Sequence, residues 1–129
     1  MLQSGILNPA LLSLVGRVRH TNTIVVADHA FPSWPGLETV DLSLVVGVPS
    51  VLQVLGALLP NWKCGAVWMA EEFRRHNDRR TVNAFRRACR GVRIQFEPHL
   101  EFKRRVPNAI GLVRTGDGTI YSNIILESA

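Results

Sequence analysis

Four ionisable residues stand at the ends of apolar runs, where a folding chain would gather them. His20 follows a helical stripe of Leu11, Leu14, Val15 and Val18 and precedes the apolar run from Thr23 to Ala27. Asp28 and His29 come directly after that run, and His99 follows the segment that ends in Gln95 and Phe96. Near the C-terminus, Tyr121 and Asn123 are two apart in a stretch that reads as a strand, which puts their side chains on one face. If the sheet brings these ends together, they form a pocket with imidazoles, a carboxylate, a phenol and an amide. An imidazole with an ordinary pKa of about 6.5 gives or takes a proton near neutrality. A carboxylate orients it, and the phenol and amide offer directional donors and acceptors to hydroxyl groups.

That equipment suits the opening of a cyclic hemiacetal. One proton leaves the anomeric hydroxyl and another reaches the ring oxygen. Closure through a different hydroxyl, or onto the other carbonyl face, gives the isomer. Positioned acid–base groups contribute about 10²–10⁴-fold, which is enough for this reaction without a metal or cofactor. Each residue also has an ordinary reading: His20 as a helix-end residue, Asp28 as a turn cap, Tyr121 as packing and Asn123 as a partner for backbone groups. A metal set from His20, Asp28, His29 and His99 has no tight ligand spacing behind it. Glycines 111, 116 and 118 lie between strands, which excludes the dinucleotide and phosphate-loop motifs, and no G-x-S-x-G elbow is present.

The elements that must position these groups follow from periodicity. Asn8 caps a helix opened by Pro9 and running to about Arg19. The β-branched run Thr23–Ala27 predicts a buried strand. The 31–36 segment, FPSWPG, is a loop, and Thr39–Val46 alternates as a second strand. Pro49 opens a helix through Leu58. Gly65–Ala70 is a strand, and Asp78 caps a helix over Arg79–Cys89. Val92–Phe96 is a strand, and His99–Arg105 is a short helix behind Pro98. Ala109–Arg114 and Ile120–Leu126 are the last strands. The alternation predicts a single α/β domain over residues 1–129, a layered mixed β-sheet flanked by helices, with active groups at strand ends.

Composition narrows the function classes. The 129 residues are 47% hydrophobic and 19% charged, as expected of a globular core. A domain this small leaves much apolar surface uncovered, so self-association is expected. No apolar run nears the roughly 20 residues of a membrane span. The N-terminus lacks a basic leader, and Asn8-Pro9 breaks its apolar stretch, so it does not read as a signal peptide. Cys64 and Cys89 sit in apolar-periodic segments and read as buried free thiols of a cytoplasmic protein. The net charge of +5 comes largely from Arg74–Arg93, where basic residues alternate with Phe73, Val82, Phe85 and Ala88. That is the solvated face of an amphipathic helix, and His76 within it reads as solvated. No helix-turn-helix, zinc-finger or RNA-recognition signature accompanies the charge, so nucleic acid is not the expected partner.

An ordered series of segments resembles one known family. Gly5-Ile-Leu-Asn-Pro, His20-Thr, Ala27-Asp28, Phe31-Pro, Val40-Asp-Leu and Gly47-Val-Pro-Ser are similar to the D-ribose pyranase / L-fucose mutarotase family. So are Ala70-Glu-Glu, Pro98-His99, Glu101-Phe-Lys, Arg114-Thr-Gly and Tyr121-Ser-Asn123, in order over nearly the whole chain. The resemblance implies the family's α/β sandwich and a mutarotase that interconverts ring or anomeric forms of a free monosaccharide. It puts the general acid on His20 and substrate binding on Asp28, His99, Tyr121, Ser122 and Asn123. It also implies ring-shaped homo-oligomers, pentamers stacked into decamers, with sites completed by a neighbouring subunit, working inside the cell beside sugar uptake. Gly47-Val-Pro-Ser and Arg114-Thr-Gly lie closer to the ribose branch. His29, Asp117, Ile120 and Ser122 depart from it, and Trp34 stands in the loop after Asp28. Those changes bear on which sugar is used, and on whether the protein turns sugar over or only binds it.

Overall fold

A computed structural model describes all 129 residues. Six strands form one mixed sheet in the order β2-β5-β1-β6-β3-β4. They are β1 (Thr23–Ala27), β2 (Thr39–Asp41), β3 (Cys64–Ala70), β4 (Ile94–Glu97), β5 (Gly111–Arg114) and β6 (Ile124–Ser128). β1, β2 and β5 run parallel to one another, and so do β3 and β4; β6 lies antiparallel between β1 and β3. The helices are α1 (Pro9–Gly16), α2 (Val51–Leu58), α3 (Glu71–His76), α4 (Arg79–Ala88) and α5 (His99–Arg105).

The central strands are apolar on both faces because both faces are covered. Ile24 and Val26 of β1, Val67 and Met69 of β3, and Ile124 and Leu126 of β6 pack under α1 to α4 with Leu14, Leu55, Phe73 and Phe85. The alternate residues Val25, Ala27, Trp68 and Ile125 pack on the other face with Phe31 and with Phe102 of α5. Sequence features set the helix starts: Asn8 accepts from Leu11 N, Ser50 and Gln53 form a reciprocal capping box, and Asp78 accepts from Thr81 N.

Four expectations about the elements need correction. α1 stops at Gly16 rather than near Arg19, since glycine weakens the helix and Asn22 Oδ1 takes the Arg19 amide. His20 therefore sits in the following turn. β2 ends at Asp41, whose carboxylate accepts from both the amide and the hydroxyl of Ser43 and turns the chain. The basic stretch holds the expected helix capped by Asp78, but a further short helix, α3, precedes it and ends at His76. The last strand starts at Ile124, not Ile120, because residues 119–121 form a turn with Tyr121 at φ 57°.

Candidate functional site

The topology collects one set of chain ends. β1, β3, β4 and β5 all finish at the same edge of the sheet, and antiparallel β6 begins there: Ile124 pairs with both Val26 and Met69. The residues after β1, β4 and β5 and those before β6 must therefore meet. They enclose a cleft of about 280 Å³ lined by Asp28, His99, Lys103, Tyr121 and Asn123, with His29 and residues 117–120 on its walls. Parallel strands commonly bind ligands beyond their carboxyl ends.

Asp28 and Asn123 form the floor. Asn123 Oδ1 accepts from the Asp28 amide at 2.8 Å, and its Nδ2 donates to Asp28 Oδ2 at 3.1 Å. The other carboxylate oxygen of Asp28 accepts from Ala30 N at 3.0 Å, folding the chain into the next loop. Arg114, at the end of β5, braces that loop by donating to the His29 and Phe31 carbonyls. Asp117 locks the opposite wall: its carbonyl accepts from His29 N, and its carboxylate accepts from Val51 N at 2.8 Å and Thr119 N at 2.8 Å.

His99 opens α5, and its amide donates to Glu72 at the start of α3. Its ring stacks on Phe102 (centroids 6.1 Å apart) and meets Tyr121 edge-on at 5.1 Å. Burial pushes the imidazole pKa below its ordinary 6.5; the Lys103 ammonium adds to this, while Glu72 and Asp28 oppose it. Nδ1 is buried without a partner, so protonation would strand a desolvated charge. His99 is thus a neutral imidazole at physiological pH. The sign of the linkage follows: acidification from pH 6.5 protonates the unfolded chain first, so stability is lost as the pH falls toward the folded-state value. Lys103→Met removes the repelling charge and should raise the His99 midpoint toward 6.5, read from its ring proton shifts by NMR. An unmoved midpoint would mean the two groups do not interact.

The expected site residues separate into three groups. Asp28, His99, Tyr121 and Asn123 line the cleft together. Ser122 lies fully buried between Tyr121 and Asn123, its hydroxyl unpartnered. His20 is elsewhere: it is exposed and precedes β1, whereas Asp28 follows it. Five strand residues put about 17 Å between those ends. The four residues considered as metal ligands are likewise divided by β1. Tyr121 and Asn123 do share the cleft, but through a left-handed turn rather than strand alternation. His29 lines the cleft; Trp34 does not, and stacks instead on Phe31 at 6.0 Å. Lys103 and Asp117 were not among the expected residues. Lys103 is four residues beyond His99 on the expected helix, the spacing that shares a face; Asp117 stood out only as a departure from the ribose branch. Both cysteines are free, and burial pushes the Cys89 thiol up to about 12, making it inert.

Over residues 1–129 the sequence matches the RbsD / FucU transport protein family. The chain belongs to that family. Among RbsD / FucU relatives, the D-ribose pyranase of Chromobacterium violaceum is 38% identical over 128 residues, 99% of this chain and 97% of that protein. The D-ribose pyranase of Geobacillus kaustophilus is 41% identical, covering 99% of this chain and 93% of that protein. Bacillus subtilis RbsD complexed with D-ribose superimposes with a TM-score of 0.92 at 30% identity, over 100% of this chain and 98% of its own. The fucose mutarotase of Streptococcus pneumoniae, in complex with L-fucose, shares the fold: TM-score 0.80, 21% identity, 95% of this chain and 92% of that one. No helix of this RbsD / FucU member is long and apolar enough to cross a membrane.

Proposed function

We propose that this protein is a D-ribose pyranase: it opens and recloses the ring of free D-ribose without a cofactor, in a site shared between two copies of the chain. The observation that carries the reading is the cleft itself. Its volume is at the small end for ligand sites, and its lining alternates hydroxyl acceptors (Asp28, neutral His99) with donors (Lys103, Asn123, Tyr121). Such a set fixes a polyhydroxylated ring by several directional bonds. The pyranase names of the relatives and the D-ribose bound to the Bacillus subtilis protein favour ribose over fucose.

In this reading the sugar rests on the Asp28–Asn123 floor, with Tyr121 and His99 at its side. The cleft supplies acceptors for the anomeric proton. The proton for the ring oxygen comes from His20, whose exposed imidazole enters the cleft of a neighbouring copy as general acid. An apolar surface beside the cleft suits that neighbour. Leu44 and Val46 are 77% and 78% exposed, with Val45 and Val48 beside them. The loop is nevertheless held firmly: Gly47 N and Gly116 N donate across to Gly116 O and Pro49 O, and a side chain at Gly116 would collide with the Val45 and Val48 carbonyls. A rigid apolar loop left in water is the mark of an association surface. Repetition around a closed ring would place each His20 at the next cleft, in pentamers stacked as decamers. The protein then works in the cytoplasm, delivering the ring form required by an enzyme that consumes free ribose.

Saturation-transfer NMR tests the reading. Added protein should speed exchange between pyranose and furanose signals of D-ribose in proportion to its concentration. The Val46→Asp variant should lose both particle size and exchange. Exchange at the buffer baseline, with sugar still bound, would instead make this a binding protein, a reading for which His29 on the cleft wall is the one structural motive.

A further inference from the structure

We propose that His76 and Asn77, which lie at the end of α3 and outside the cleft, are positioning residues for Tyr121 and thereby set the affinity of the sugar site. The inference rests on the sugar-site reading above. The need for such residues comes from the backbone: Tyr121 has φ 57°, a region that L side chains other than Asn and Asp seldom occupy. A ligand residue in that conformation, in a turn rather than a strand, has no ladder to hold it. Neighbouring groups must determine where the phenol points.

Two adjacent residues do so. Asn77 Nδ2 donates to the Phe73 carbonyl at 2.9 Å and to the Ile120 carbonyl, also at 2.9 Å. One amide thereby ties the turn to the last turn of α3, one residue before Tyr121. His76 then covers the face of the Tyr121 ring, with centroids 5.4 Å apart and planes at 28°. His99 meets the same ring from the cleft side at 5.1 Å and 76°. The phenol is held between two imidazoles, of which only His99 lines the cleft. His76 is exposed, so its ring is not confined by core packing, and the stack on Tyr121 is its aromatic contact.

Tyr121 is the chain's sole tyrosine, so ring-labelled tyrosine reports on this position alone. In the sugar-free protein, His76→Ala should shift the Tyr121 ring protons, whereas His76→Phe should restore a stacked environment. D-Ribose binding should weaken about five-fold in His76→Ala, the effect of losing one aromatic pair. In His76→Phe it should return to within about two-fold, with the exchange rate at saturation nearly unchanged in both. Asn77→Asp, which sets a carboxylate against two carbonyls, should perturb the same resonances and weaken binding at least as much. His76→Leu, similar in bulk but without a flat ring, should behave as His76→Ala. An unshifted tyrosine signal in His76→Ala, or failure of His76→Phe to rescue, overturns the proposal. Absence of ribose binding by the unaltered protein would overturn the sugar-site reading instead, since the sugar-free tyrosine spectra stand apart from it.

Discussion

Replacing His20 with alanine is expected to cut ribose ring exchange by about 10²–10⁴-fold, the range for a lost general acid, while leaving the fold intact. His20 is exposed in a turn before β1 and makes no side-chain hydrogen bond in the chain, so truncation should change stability by no more than about 0.5 kcal/mol. An arrangement internal to one chain predicts the same loss, so the loss alone is not decisive. The decisive form is a mixture. Asp28→Asn damages the cleft and His20→Ala damages the imidazole that visits it. If each site takes its cleft from one copy and its imidazole from the next, co-expressing the two inactive variants rebuilds intact sites. Random assembly around a ring gives both intact halves at about a quarter of the sites, so the mixed particles should show about that share of the unaltered rate. Mixtures that stay inactive would place His20 and the cleft in separate tasks and end the shared-site mechanism.

How much of this was legible beforehand differs between fold and site. The TIVVA run, the Asn8 and Asp78 caps and the Pro98–His99 helix start are local signals, and the structure follows them closely. Errors arose where a side chain competed with the periodic pattern. Asp41 turned Thr39–Val46 out of the sheet after three residues, and Asn22 drew the chain out of α1 before His20. The grouping of Asp28, His99, Tyr121 and Asn123 could be anticipated as strand-end residues. Which strand ends share an edge is a matter of strand direction, a long-range property that no local pattern reports. For that reason His20 looked equivalent to Asp28 in sequence, although one precedes β1 and the other follows it. The stack of His76 on Tyr121 was illegible for the same reason: 45 positions apart, they meet only because β3 and β6 are antiparallel neighbours.

Asn123→Leu should be the most damaging single change in the cleft, because it strikes stability and binding at once. Asn123 and Asp28 are 4% and 9% exposed, so water cannot replace what the amide provides. Leucine fills a similar volume but leaves the Asp28 amide without an acceptor and one carboxylate oxygen without a donor. Each buried orphan costs about 1–3 kcal/mol, the charged one toward the upper end. A total near 3 kcal/mol should lower the Tm by about 10 °C for a chain of this length, measurable by calorimetry, and ribose binding should vanish with the ordered carboxylate. Asn123→Asp separates geometry from charge. It keeps an oxygen for the Asp28 amide but sets a second carboxylate against the first, where like charges favour a shared proton in the folded state. Folding of that variant then takes up a proton that the unfolded chain releases above about pH 4, so its stability should fall as the pH rises. Asn123→Leu has no such pair and should show no recovery in acid. Equal stability of Asn123→Asp at pH 5 and pH 8 would mean that the two side chains are wetter and farther apart than the 3.1 Å bond requires, and the rigid floor on which the ring is positioned would have to be abandoned.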